Sequence, residues 1–538
     1  APSPSSPPVP DADFLVVGSG FGGSVAALRL AEKGYRVVVL EQGRRWRPQD
    51  FPHTSRALQR YLWAPRLGLR GIQALTFLRH AVVLHGSGVG GGSLVYANTL
   101  IAPDFEVFRR PEWGAGDWER RLAPHFAEAR RMLGAVPAPG VGRTDALLRD
   151  VGRELRGDDT FRIHDVGVYF GAEGQTVPDP YFGGDGPART GCTRCGACMI
   201  GCRVGAKNTL DRNYLWLAER LGVRIVPETE ALAIRPLPEG GYEVETRPSL
   251  GLRRPRRRWR ARQVVVAGGV VGTVRLLLAS RARGWLPDLS PRVGSRVRTN
   301  SESILAADSP DRSVAWCDHV AITSGIRADA RTHIEMVRLN PGSDALFWLA
   351  APLTGGGGRV PRPLRLLGNA LRHPLRTLRG LWPFNRAVRT GVVLAMQATE
   401  GHLDLTLRRR WWRPGRPALA SRLPRGQAPP VSYIPVANEV ARRMAGRMGG
   451  EAWNNWPEVV LGAPLTAHML GGCPMGADAE AGAVDFEGRL FGYPGIRVVD
   501  GSVVPVNLGV NPSLTITALA EYLMARVPPA EPGGRPDG

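Results

Sequence analysis

The feature that most constrains this chain lies at residues 13–41, DFLVVGSGFGGSVAALRLAEKGYRVVVLE. An apolar run, Phe14 to Val17, enters Gly18-x-Gly20-x-x-Gly23, and SVAALRLAEK carries helical periodicity. Gly34 stands where a helix ends, and a second apolar run, Val37 to Leu40, closes on Glu41. This order predicts strand, tight turn, helix and strand, the opening of a Rossmann-like nucleotide-binding fold. The glycines serve a tight turn, close approach to a pyrophosphate, and helix–strand packing. The helix N-terminus faces phosphate charge, and Glu41 can accept from the adenosine ribose hydroxyls. An acidic residue there disfavours NADP, but the motif alone does not choose between FAD and NAD.

The chain has 538 residues, too many for one core, so at least two substructures are expected. No apolar run reaches the roughly 18 to 20 uncharged residues of a membrane span. Against 48 Asp+Glu stand 70 Lys+Arg, a net +22. Such an excess suits nucleic acid, an anionic membrane surface, acidic substrates, or simply a solvated basic surface. No nucleic-acid module is seen, so nucleic acid is not an expected partner. The Pro-rich ends, 1–10 and 528–538, are expected to be disordered tails, and the opening lacks an apolar signal core. Six cysteines occur, four of them within Cys192 to Cys202, which is no disulfide framework. A metal site or a reduced compartment is indicated, with the cytoplasm as the expected location.

Four further segments carry a family resemblance. HGSGVGGGSLVYANTL (85–100) is similar to the flavin-proximal signature of the glucose–methanol–choline (GMC) oxidoreductases. VVVAGGVVGTVRLLLAS (264–280) resembles that family's second signature. HMLGGCPMG (468–476) and VVDGSVVPVNLGVNPSLTITALAEYLM (498–524) resemble its C-terminal catalytic and FAD-binding stretch. Asn511 in the last segment is as in the family's bacterial cholesterol oxidase-like branch. The resemblance runs in order from residue 13 to about 525.

It implies FAD as cofactor and an α/β fold (α+β overall). A Rossmann-like FAD domain (11–105, 190–300 and 455–527) would interleave with a substrate domain (106–189 and 301–454) built on a mostly antiparallel sheet. Gly88, Gly90, Gly91, Gly92, Ser93 and Asn98 would join Gly18, Gly20, Gly23 and Glu41 around the cofactor, with Asp500, Gly501 and Pro512 from the C-terminal stretch. The physics agrees: glycines let backbone press against a large planar ligand. Asp500 ends an apolar strand where it can meet flavin ribityl hydroxyls. The helix opened by Asn511-Pro512-Ser513, which Ser513 can help cap, would aim its positive end at a reduced flavin.

Alcohol oxidation sends a hydride to the flavin and needs an acceptor for the hydroxyl proton. His468 matches the family's active-site histidine, and Asn511 matches the second member of the pair. An amide cannot be the base, so the proton falls to His468, a carboxylate or water. Glu335 in RTHIEMVRLN is the carboxylate candidate, expected buried with a raised pKa, unless the alternating strand merely points it outward.

Cys192, Cys195, Cys198 and Cys202 are spaced C-x2-C-x2-C-x3-C, the bacterial ferredoxin spacing, with Arg203 where ferredoxins have proline. An iron–sulfur cluster, zinc, a structural loop near the flavin, or merely packed thiols all remain open. In ferredoxins the fourth cysteine of such a run serves a different cluster.

Residues 361–390 set Leu364, Leu367, Leu371, Leu375, Leu378 and Trp382 at helical spacing, with Arg362, Arg365, Arg372, Arg376 and Arg379 between them. A basic amphipathic helix pair broken near Pro374 either rests on an anionic membrane, collecting a lipophilic alcohol, or turns its leucines to the core. The basic run 252–262 reads as a surface strand pair and turn. The expectation is FAD-dependent oxidation of a secondary, lipophilic, sterol-like alcohol, with oxygen or an unknown carrier as electron acceptor. The alternative is an FAD/iron–sulfur dehydrogenase acting on another alcohol and passing electrons to an external acceptor.

Overall fold

The structure, a computed structural model, describes residues 10–251, 253–382, 384–410 and 413–531. Strand β1 (Ala12–Val17), helix α1 (Phe21–Glu32) and strand β2 (Val37–Leu40) form the predicted opening unit, with Gly34 left-handed just beyond the helix. The hairpin β3 (Gln73–Phe77) and β4 (Val82–Gly86) follows, then α2 (Trp118–Met132), α3 (Arg143–Arg156) and the short β5 (Arg162–Ile163). Strands β6 (Arg224–Val226), β7 (Thr229–Pro236), β8 (Tyr242–Pro248) and β9 (Arg257–Val266) lead into α4 (Gly269–Ala282). A second group comprises β10 (Ser303–Asp308), β11 (Ser324–Arg327), β12 (Thr332–Val337), β13 (Ala350–Pro352), α5 (Arg362–Arg372), α6 (Pro374–Leu381), β14 (Thr390–Gln397), α7 (Pro435–Arg447) and β15 (Ala452–Asn455). The chain then returns through β16 (Leu465–Thr466), β17 (Tyr493–Val498) and α8 (Ser513–Ala525).

In the first sheet β6, β2, β1, β9 and β17 run parallel. The ten-residue β9 does double duty. Its C-terminal half pairs with β17, and its N-terminal half pairs antiparallel with β8, which carries β7. β1 and β2 are almost wholly apolar and buried, as strands covered on both faces must be. Helix α8 packs against both α1 and α2. Thus α2, within the 106–189 stretch expected in the substrate domain, instead buries Trp118, Leu122 and Phe126 in the first core. Of the expected disordered ends, residues 1–9 and 532–538 lie outside the described residues. Pro528 and Ala530 are tied to the end of α1, accepting from Tyr35 and donating to Lys33.

The second sheet is antiparallel throughout, in the order β13–β15–β10–β14–β12–β11–β5. Its side chains alternate with period two. Ile334, Met336, Val393 and Ala395 face α3 and α7. Ile304, Ala306, Val337, Val392 and Leu394 face a large internal cavity. In the basic run 252–262, described except for residue 252, residues 253–256 lead into β9, and the arginines meet the buried carboxylates of β8: Arg256 with Glu245, Arg258 and Arg260 with Glu243.

The break between α5 and α6 falls at Pro374. The core-facing alternative for this stripe fails: Leu364, Leu367, Leu371, Leu375, Leu378 and Trp382 are 56% to 72% exposed. Among the described residues, no helix is long and apolar enough to cross a membrane.

Candidate active site

The parallel strands converge at their carboxyl ends, where open α/β sheets bind ligands. Gly18 and Gly20 after β1, Glu41 after β2, Gly268 and Gly269 after β9, and Asp500 and Gly501 after β17 all line one cavity of about 370 Å³. A Cβ added at Gly20, Gly269 or Gly272 would meet nothing within 4 Å, so backbone there faces open space. These positions form a cradle that fits the phosphates of a dinucleotide. The neighbouring glycines do other work. A Cβ at Gly22 would lie 1.6 Å from Val499 O, and one at Gly23 would lie 2.0 Å from Gly18 O.

Glu41 is buried, with Oε2 accepting from Ser19 Oγ (2.7 Å) and Ser19 N (3.2 Å). Its Oε1 accepts from Gly43 N (2.8 Å) and Gly88 N (3.3 Å). Any ribose hydroxyl reaching Glu41 therefore shares its oxygens with these donors. Gly91 and Gly92 line the cavity, whereas Gly88, Gly90, Ser93 and Asn98 do not. Gly88 and Gly90 support the cradle through Glu41 and Ser19, and Ser93 Oγ donates to Gly90 O. Asn98 is fully buried with φ +60°, and both polar atoms of its side-chain amide lack a hydrogen-bond partner. Asp500 lines the cavity, but its carboxylate accepts from Gly269 N, Thr273 Oγ1 and Ser502 N. It locks α4 to the end of β17.

Pro512 occupies the N-cap of α8 and no side chain caps this terminus, Ser513 included. The free amides open beside Asn511, Pro512 and Ser513 at the cavity wall, which leaves the positive end of α8 available to a ligand.

His468 and Asn511 both line the cavity. His468 follows β16, which pairs with β4, and its Nδ1 lies 3.2 Å from Oε2 of the buried Glu302. That carboxylate is fixed by Thr466 Oγ1 (2.7 Å) and Ala467 N (3.0 Å). Burial lowers the His468 pKa, but Glu302 outweighs burial and leaves it above the ordinary value. Asn300, two residues before Glu302, accepts from Leu508 N and Gly509 N and donates to Val510 O. One turn, with Asn300 at φ +55° and Ser301 at φ +43°, therefore sets both the His468 and the Asn511 loops. Such strain in non-glycine residues persists where surroundings over-determine it, as at active sites.

Glu335 is not at the cavity wall. It sits behind Asn511, whose Nδ2 donates to Glu335 Oε2 (3.2 Å), while His333 Nε2 lies 3.2 Å and His164 Nε2 3.7 Å from Oε1. Burial alone would raise its pKa, but the two histidines and Asn511 bring it below the ordinary value. The raised pKa expected for Glu335 is thus not found, and the carboxylate stands one residue back from the cavity wall. It holds the Asn511 amide so that Oδ1, buried and without a protein partner, is the atom left to accept a hydrogen bond.

Cys192, Cys195, Cys198 and Cys202 are free and line one small second cavity, with Cys195 the most exposed. Glu302, Asn300 and His164 were not found from the sequence. His333 carried a signal: two residues before Glu335, it shares the same strand face.

Sequence comparison agrees with this geometry. GMC oxidoreductase models match residues 187–300 and 435–520, and an NAD(P)-binding Rossmann-like model matches 16–47. A cholesterol oxidase of Mycobacterium tuberculosis is 46% identical across 95% of this chain and 90% of that protein. One of Acinetobacter baumannii is 40% identical across 96% and 94%. A solved pyridoxine 4-oxidase from Mesorbium loti shares the fold at TM-score 0.59 and 14% identity, covering 96% of this chain and 99% of that one. The site is that of an FAD-dependent alcohol oxidoreductase. The chain belongs to the GMC oxidoreductase family.

The Glu302–His468 pair fixes a pH dependence. A histidine that must be neutral to take a proton works above its pKa, and Glu302 raises that pKa. Glu302→Gln is expected to move the acid limb of the kcat/KM profile to lower pH. An unmoved limb would detach Glu302 from His468.

Proposed function

We propose that this protein oxidises a secondary, sterol-like alcohol to the ketone. The observation that carries the reading is the single cavity in which a nucleotide cradle, His468 and Asn511 meet the apolar face of the second sheet. FAD, when bound, supplies the hydride acceptor. The Asn511 amide, held by Glu335, donates its second Nδ2 hydrogen to the substrate oxygen and orients its carbon; His468 removes the hydroxyl proton, and Glu302 stabilises the resulting imidazolium. Ile304, Ala306, Val392, Leu394 and Phe347 offer a wall suited to a rigid hydrocarbon. The relatives are named cholesterol oxidases, which supports a sterol as substrate and oxygen as electron acceptor. A panel of alcohols tests the class: kcat/KM should favour sterols over short secondary alcohols. Equal values for both would overturn it.

The exposed leucines of α5 and α6 support a resting place on an anionic membrane, from which such a substrate is drawn. The stretch 359–389 contains arginines but no Asp or Glu. Gly380 of α6 packs against Trp453, a cavity residue, and Trp348, Trp382 and Phe384 cluster beside it. Apolar residues with flanking arginines and interfacial aromatics fit the lipid–water boundary. Leu367→Asp with Leu371→Asp is expected to weaken sedimentation with phosphatidylglycerol vesicles by about tenfold or more, the scale of two lost leucine burials. Unchanged sedimentation would remove the membrane from this account.

A further inference from the structure

Four of the six cysteines, Cys192, Cys195, Cys198 and Cys202, line a cavity that the oxidation of an alcohol does not use. The rest of its wall is mostly apolar, with Val168, Ala197, Val204, Ala206 and Val320, and adds Gly196 and the polar Thr193 and Lys207. The loop wraps because Arg194 (φ +52°) and Gly196 (φ +71°) turn left-handed on either side of Cys195. Backbone amides already address the sulfurs. Arg194 N lies 3.4 Å from Cys192 Sγ, and Ala321 N–H donates to Cys198 Sγ.

We infer that these four cysteines ligate an iron–sulfur cluster. Three observations select that group. The first is the spacing, in which thiolates two and three residues apart wrap a cluster. The second is the convergence of all four side chains on one water-poor cavity with N–H donors to sulfur, the environment that holds such clusters and tunes them. The third is the spread of the sulfurs. A tetrahedral zinc with bonds of about 2.3 Å would gather its four sulfurs to about 3.8 Å from one another. Among the described residues, no three of these sulfurs lie within 4.8 Å of one another, so the set as placed is too wide for a zinc ion. In two-cluster ferredoxins the fourth cysteine of such a run serves another cluster, but here Cys202 faces the same cavity as the other three.

The site also stands next to the flavin cavity. Met199 lines the large cavity while its neighbour Cys198 lines the small one. Lys207 Nζ donates to Cys198 O (2.7 Å) and to Tyr96 O (2.8 Å), and Tyr96 lines the large cavity. The proposal is independent of which alcohol is oxidised.

The test is analysis of the full-length protein prepared without oxygen. Iron and acid-labile sulfide are expected in near-equal amounts, with an iron–sulfur paramagnetic resonance signal in the protein as isolated or after reduction by dithionite. Cys195→Ser, whose side chain is exposed, should lose iron, sulfide and signal together while keeping FAD, because the nucleotide cradle is built elsewhere. Cys473→Ser, at a buried cysteine outside this cavity, should keep all three. Wild-type protein without iron, or with zinc alone, would overturn the assignment. So would Cys195→Ser protein that retains the full cluster signal.

Discussion

Protein carrying Gly20→Val is expected to fold and to purify without flavin. Gly20 is the N-cap of α1, extended at φ −73°, a conformation that valine accepts. An added Cβ there touches no protein atom, so the branched side chain projects into the cradle between Gly18, Gly91 and Asp500. The clash falls on the cofactor, and overpacking of about 2 to 3 kcal/mol corresponds to roughly a hundredfold loss of affinity. The neighbouring glycines give a contrasting result. Gly22→Val and Gly23→Val drive a side chain into the Val499 and Gly18 carbonyls, so those variants lose the fold before they lose the ligand. Flavin absorbance per protein, with circular dichroism as the check on folding, separates the cases. A folded, fully yellow Gly20→Val would contradict the position of the pyrophosphate.

The second large effect belongs to His468. His468→Ala is expected to slow reduction of the bound flavin by alcohol by about two orders of magnitude or more, the range of general-base catalysis. FAD is retained, because the cradle at Gly18, Gly20 and Gly269 stands apart from β16. The variant also leaves Glu302 buried with no histidine beside it, so some stability is lost with the rate. Single-turnover measurement isolates the chemical step from later electron transfer. A normal single-turnover rate would move the proton acceptor elsewhere, with Glu335 then the nearest carboxylate to Asn511.

Much of this was legible in the chain. The opening unit could be read because its signals are local: an apolar run, three glycines at fixed offsets, a helix, and an acid at the end of the next strand. His468 and Asn511 could be read because they sit inside short motifs. Glu302 could not, since it has no local pattern and reaches His468 across 166 positions only after β10 and β16 are brought together. Glu335 was found, but the direction of its pKa shift was not. Sequence could say that it was buried, yet the sign of its pKa shift depends on His164 and His333, which the antiparallel pairing of β11 with β5 and β12 places around it. Periodicity showed the leucine stripe of α5 and α6 but not whether anything covers it; that is a property of tertiary packing. In the same way the glycine motif did not reveal that Gly20 faces a ligand while Gly22 and Gly23 face backbone.

The most direct test of the central claim is a single anaerobic turnover with cholesterol delivered in detergent micelles, followed by the flavin spectrum and by product analysis. The account predicts that the oxidised flavin bands bleach in one phase and that one ketone forms for each flavin reduced. It predicts that the phase slows in His468→Ala and shifts with pH in Glu302→Gln. Flavin that stays oxidised in the presence of sterol, yet bleaches with a small hydrophilic alcohol, would contradict it.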